Sequence, residues 1–156
     1  TSFAPQGTMT RGMMVTILYR LEGEPTVSGE AMFIDSGDPI YQYYTHAVNW
    51  AATNHIVEGY GDGSFGPEDA ITREQFSAIL YRYATVKGYD TTQGGMAARE
   101  FADYALISDW AQEAMDWAVN AQIIKGNGNN LLTPNEVATR AEIAQMIFNF
   151  LDEIAK

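Results

Sequence analysis

The chain has 156 residues, a formal charge of −11 at pH 7, no cysteine, and 46% apolar residues. That length holds one ordinary domain or a short array of units sharing a core, and the apolar content, with only five prolines, argues against disorder. The charge argues against nucleic acid and anionic membrane surfaces, which many lysines and arginines would be needed to grip; the missing thiols exclude disulfides, thiolate metal sites and cysteine nucleophiles.

Taken in chain order, the first signal is an apolar residue followed by Pro two positions on and Thr-Arg seven and eight positions on: Phe3, Pro5, Thr10 and Arg11. The stripe Met14, Ile17, Leu18 and Leu21 then predicts an amphipathic helix. A Gly/Thr/Glu-rich connector is expected over 22–32. A second block opens at Phe33 and Asp35 and gives a short helix over 41–54 around Ala47, Trp50 and Ala51. It continues through Ile56, Val57 and Gly59 into the turn "GYGDGSFGP" at 59–67. The first signal now returns as Phe65, Pro67, Thr72 and Arg73, with the stripe Phe76, Ile79, Leu80 and Tyr83.

After a connector over 87–99, the block repeats as Phe101 and Asp103, a helix over 108–121 around Ala114, Trp117 and Ala118, then Ile123, Ile124 and Gly126. Leu132, Pro134, Thr139 and Arg140 follow, with the stripe Ile143, Met146, Ile147 and Phe150. The expected fold is all-α, with few or no strands, built from tandem helix-turn-helix repeats. The back half of one repeat covers 1–23, and complete repeats cover 33–87 and 101–156.

Thr72 with Gln75 and Thr139 with Glu142 are capping boxes, in which the hydroxyl takes a free backbone N–H and the third helical side chain reaches back. The first copy, "TRGM", loses the box because Met13 stands where the acid belongs. Arg11, Arg73 and Arg140 are less expected. A cation at a helix N-terminus is disfavoured by about 0.3–1 kcal/mol, yet three of the six arginines stand there. Two readings stay open, and they can coexist. Each guanidinium clamps a carboxylate of a neighbouring repeat, such as Asp35 or Asp103, or it joins the helix dipole and backbone N–H groups in a site for a carboxylate or phosphate. Trp50, Trp117 and Tyr60 offer flat faces to sugar rings. Core packing is the simpler reading for the two tryptophans, whereas Tyr60 in its Gly-rich turn is expected at the surface.

Other chemistries find little support. Asp62, Glu68 and Asp69 do not follow the alternating ligands of a calcium loop. His46 and His55 lie nine apart, which is no metal-pair spacing on one helix. No motif selects a pair of carboxylates from the twenty acids, so no enzyme, cofactor or metal is expected. No apolar run reaches the length of a membrane span, and with no leader visible at Thr1 the chain reads as mature, cytoplasmic or excised.

The ordered set "FID" at 33–35, "FAD" at 101–103, "GYGDGSFGP" at 59–67, "TRE" at 72–74 and "TRAE" at 139–142 resembles the S-layer homology family of bacterial cell-surface proteins. The resemblance implies three repeats about a pseudo-threefold axis around a central helix bundle. It implies an extracellular module that holds an exported protein on the cell wall by binding secondary cell-wall polysaccharide, often pyruvylated, in grooves between repeats. Arg73 and Arg140 would hold the ketal carboxylate, with Trp50, Trp117, Asp35, Asp103, Gly59 and Gly126 shaping the grooves. Arg11, Tyr60, Glu74 and Glu142 complete the candidate ligand-binding set. The chain departs from the family pattern at Gly12 and Met13, in the third turn "GNGNNLLTP", and in lacking the first half of its first repeat. Upstream sequence, a second copy or a rearrangement must then cover apolar surface. The alternative function is protein–protein interaction or self-assembly, which the Met13-Met14 pair would suit.

Overall fold

The structure is a computed structural model that describes residues 7–27, 33, 35, 43–92, 95–126 and 128–155. Phe3 and Pro5 of the first signal lie outside the described residues. Among the described residues five α-helices follow in order: α1 (Arg11–Leu21), α2 (Thr45–Thr53), α3 (Arg73–Lys87), α4 (Gln112–Asn120) and α5 (Arg140–Glu153). Among the described residues β-structure is limited to isolated bridges, Thr8 with Thr139, Thr10 with Ala70 and Thr72 with Val137. The all-α expectation holds. No described helix is long and apolar enough to cross a membrane.

The helix ends follow from local chemistry. Both expected capping boxes form, at Thr72 with Gln75 and at Thr139 with Glu142. Half of the third survives, since the Thr10 hydroxyl still accepts from the Met13 N–H at 3.0 Å. The tryptophan helices are shorter than expected, because α2 and α4 begin without a side-chain cap. A 3₁₀ turn over Asp109–Ala111 leads into α4, and another, Ala97–Glu100, occupies part of the expected 87–99 connector. At their far ends α2 and α4 close alike. His55 N–H bonds to Ala52 O and Ile56 N–H to Ala51 O; Gln122 N–H bonds to Val119 O and Ile123 N–H to Ala118 O. These are Schellman closures, with His55 at φ 60° and Gln122 at φ 63° in the left-handed position that usually holds glycine.

The chain divides into two compact units: one is Met9–Ile71, and the other is Thr72–Lys156 together with Thr1–Thr8. Within the first, α1 packs on α2. Met14 and Leu18 are fully buried there, and Tyr19 meets Trp50 with ring centroids 5.6 Å apart. Within the second, α3 packs on α4, and Tyr81 meets Trp117 edge-on at 5.4 Å. Phe150 of α5 closes this core against Tyr83, Tyr89 and Trp117 at 6.0–6.3 Å. Such aromatic contacts favour tilted and edge-on arrangements, as seen here.

Candidate functional site

Arg11 and Arg73 are explained by the turn that each of them grips. Arg73 Nε donates to Leu132 O at 2.8 Å, and its terminal nitrogens reach Lys125 O and Glu142 Oε2 at 3.4 and 3.0 Å. Arg11 repeats the pattern one repeat earlier, with Nε to Phe65 O at 3.0 Å and a terminal nitrogen to Glu58 O at 3.2 Å. Its guanidinium also lies over the Tyr60 and Phe65 rings at 4.9 and 4.5 Å. A hydrogen bond made by a charged group contributes about 1.5–3 kcal/mol. Even one of them therefore outweighs the cost of about 0.3–1 kcal/mol for a cation at that end of a helix.

The same turns cap the helices. Arg73 N–H donates to Glu136 O and Glu74 N–H to Pro134 O, while Gln75 N–H goes to the Thr72 hydroxyl. On α1, Arg11 N–H donates to Asp69 O and Gly12 N–H to Pro67 O, and on α5 Arg140 N–H donates to Gly7 O. The backbone donors that the sequence reading offered to an anion at α3 are thus taken by protein oxygens. Only side chains remain to hold an anion there.

Asp35 and Asp103 act on those turns from the other side. Asp35 accepts the N–H groups of Phe65 and Gly66, each at 2.8 Å, and Asp103 those of Leu132 and Thr133 at the same distances. Arginine and aspartate therefore meet on one turn, the guanidinium on its carbonyls and the carboxylate on its amides. Gly59 and Gly126 are required by close approach: a Cβ on Gly59 would come within 2.5 Å of the Phe33 ring, and one on Gly126 would strike the Phe101 ring. The Phe, Asp and Gly of each repeat are thereby parts of one device.

The other expected residues divide. Trp117 is 1% exposed and donates from Nε1 to Asp90 O at 3.2 Å, and Trp50 is likewise buried, so both pack in cores. Glu74 is 3% exposed, and its carboxylate accepts the N–H and hydroxyl of Ser108, which fixes the approach to α4. Tyr60 is 48% exposed, as expected, and donates to Asp69 Oδ2 at 2.7 Å. Partial burial, then this hydrogen bond, raise its pKa above the ordinary tyrosine value, against a lowering by Arg11. The Arg140 Nε is buried.

One groove gathers part of the expected set. Arg73, Lys125, Gly126, Glu142, Gln145 and Asn149, with Ile123 and Met146 as its apolar floor, line a cavity of about 200 Å³. Arg73 is 8% exposed at its side chain and Glu142 is 44% exposed. Gln145 Nε2 donates to Asn149 Oδ1 at 2.9 Å, and Asn149 Nδ2 donates to Ile123 O at 3.1 Å. Sequence reasoning missed Lys125, Gln145 and Asn149. Their signal was the polar spacing 142, 145 and 149 on one face of α5, and a lysine directly ahead of Gly126. Among the described residues no group of three or more His, Cys, Asp or Glu side chains is placed to hold a metal ion.

The S-layer homology domain family matches residues 37–77 and 100–144. An amylopullulanase of Thermoanaerobacterium thermosulfurigenes is 35% identical over 98% of the chain, which spans 8% of that protein. The surface-layer 125 kDa protein of Lysinibacillus sphaericus is 28% identical over 98% of the chain, 12% of its own length. A cellulosome-anchoring protein of Acetivibrio thermocellus is 28% identical over 65% of the chain, 22% of its own length. The chain therefore spans less than a quarter of each of these relatives. Repeats built on matched turns, gripped alike by Arg11 and Arg73, and a family match covering more than half of the residues agree: the chain belongs to the S-layer homology domain family.

Proposed function

We propose that this domain holds its parent protein at the bacterial cell surface without a covalent link, by binding an anionic wall polysaccharide in the groove of Arg73. The carrying observation is the presence of two cations, Arg73 and Lys125, on one cavity with the amides of Gln145 and Asn149, in a chain of net charge −11. A guanidinium, an ammonium and two amides suit a sugar bearing a carboxylate, and a pyruvylated terminal sugar is the finer form of this reading. The cellulosome-anchoring and surface-layer names of relatives support the location. The ligand carboxylate takes the place of Glu142 Oε2 on Arg73, while Oε1 continues to accept the Thr139 N–H. Arg11 and Arg140 hold the equivalent sequence positions in the other repeats, and Tyr60, beside Arg11, offers the exposed ring that a sugar would stack on.

Co-sedimentation with purified cell walls, before and after their secondary polymer is stripped, tests this. Arg73→Ala confounds turn stability with binding, so the informative variants are Lys125→Gln and Glu142→Gln. Lys125→Gln weakens wall binding about tenfold, whereas Glu142→Gln, which keeps the capping box but removes a competing charge, strengthens it several-fold. Equal affinity in both variants, or binding that survives stripping, rejects the assignment.

A further inference from the structure

The groove of Arg73 is rich in donors and poor in open acceptors. The side chains of Arg73 and Lys125 bring only N–H groups. Both oxygens of Glu142 are engaged, Oε2 by Arg73 and Oε1 by the Thr139 N–H. The two amides remain, and an amide donates at one end and accepts at the other. Which end meets the groove decides what the site can read.

A backbone carbonyl settles that orientation. Ile123 O can only accept, so Asn149 turns Nδ2 towards it, at 3.1 Å. Asn149 Oδ1 is thereby set as an acceptor, and Gln145 turns Nε2 towards it, at 2.9 Å. The anchor is itself held: the Ile123 N–H bonds to Ala118 O in the closure of α4, and the residue is wholly buried. Three groups in series thus carry one polarity outwards. It ends on Gln145 Oε1, which accepts no hydrogen bond among the described residues.

The repeat scaffold calls for neither amide. Thr16 and Ala78 stand at the repeat position of Gln145, and Arg20 and Arg82 at that of Asn149. Gln145 is exposed, so the core does not need it either.

We propose that Gln145 Oε1 is the acceptor for a ligand hydroxyl, with Asn149 as the positioning residue that aims it. This rests on the Arg73 groove being the ligand site and adds its selectivity. An anionic sugar with a free hydroxyl within reach of its carboxylate is held, and one deoxygenated or O-substituted there is disfavoured. The hydroxyl donates to Oε1 while the carboxylate lies on the two cations. Contacts of opposite polarity fix which way round the sugar sits.

Two probes separate these contributions: methyl β-D-glucuronide, and tetrahydropyran-2-carboxylate, which keeps the ring and carboxylate without hydroxyls. Affinities are read on the whole chain by NMR titration, following the backbone amide of Gly126 in the groove. The glucuronide should bind about three- to tenfold tighter, the worth of one hydrogen bond between neutral groups. Gln145→Met, which keeps the side-chain length without the amide, should remove that advantage and leave the affinity for the hydroxyl-free acid unchanged. Asn149→Ala should do the same although Gln145 is still present, whereas a merely structural Asn149 would weaken both probes alike. Equal affinities for the unaltered chain, a preference that survives Gln145→Met, or equal weakening in Asn149→Ala overturns the inference and leaves the carboxylate site standing. Binding of neither probe, or binding indifferent to Lys125→Gln, overturns the groove reading and this inference with it.

Discussion

Asp103 and Arg73 hold Leu132 between them: the carboxylate accepts its N–H and the guanidinium donates to its C=O, both at 2.8 Å. Asp35 and Arg11 hold Phe65 in the same way. The arginine at the start of one helix is therefore part of the next repeat's turn, which resolves why it tolerates an unfavourable helix end.

Removing the aspartate should cost more than a surface charge usually does. Asp103→Ala leaves the Leu132 and Thr133 amides without their carboxylate, and the expected loss is about 2–4 kcal/mol. Asp103→Asn keeps one acceptor and should fall between the two, as read by urea denaturation with unchanged m. A loss below 1 kcal/mol for the alanine variant would show that the turn stands without this clasp.

The left-handed positions predict gains in stability. Gln122 ends α4 at φ 63°, and Thr133 stands at φ 48° in the place where the second repeat has Gly66 at φ 74°. A side chain in this region costs about 1–2 kcal/mol, offset in part by the greater unfolded freedom of glycine. Gln122→Gly should therefore add up to about 1 kcal/mol, raising Tm by about 2–4 °C, while Gln122→Ala should not. Thr133→Gly should gain as well, less the hydroxyl bond to Leu132 O. Thermal melts followed by circular dichroism decide the order.

Tyr60 predicts a response to alkali. Its pKa is raised above 10.0, first by partial burial and then by its bond to Asp69. The folded state holds this proton more tightly than the unfolded one. The stabilisation is complete below pH 10 and is lost as pH rises through the folded value. Titration of tyrosinate absorbance should show a late component that disappears in Tyr60→Phe. If the difference curve centres at or below pH 10, the bond to Asp69 does not favour the protonated ring.

Much of this was legible in the sequence because repetition exposes register. The helices around Trp50 and Trp117, the capping boxes and the importance of Arg11 and Arg73 all follow from matched spacing. The targets of the guanidinium groups do not, since Phe65 O, Glu58 O, Leu132 O and Lys125 O are backbone atoms with no side-chain signature. Glu74 looked like a member of a ligand set, but burial against Ser108 gives it a structural task that only tertiary packing reveals. Lys125, Gln145 and Asn149 come together only when α5 is laid beside the 123–126 segment; the spacing of 142, 145 and 149 marks a polar face of α5 but not what that face meets.

Arg11 and Arg73 recognise carbonyl oxygens, and the two aspartates recognise amides. Such a lock senses the path of the main chain and is indifferent to the letters written along it. The turn "GYGDGSFGP" could thus drift to "GNGNNLLTP" with the lock intact, which leaves the turn's side chains free to diversify from one descendant to the next while the scaffold is inherited unchanged.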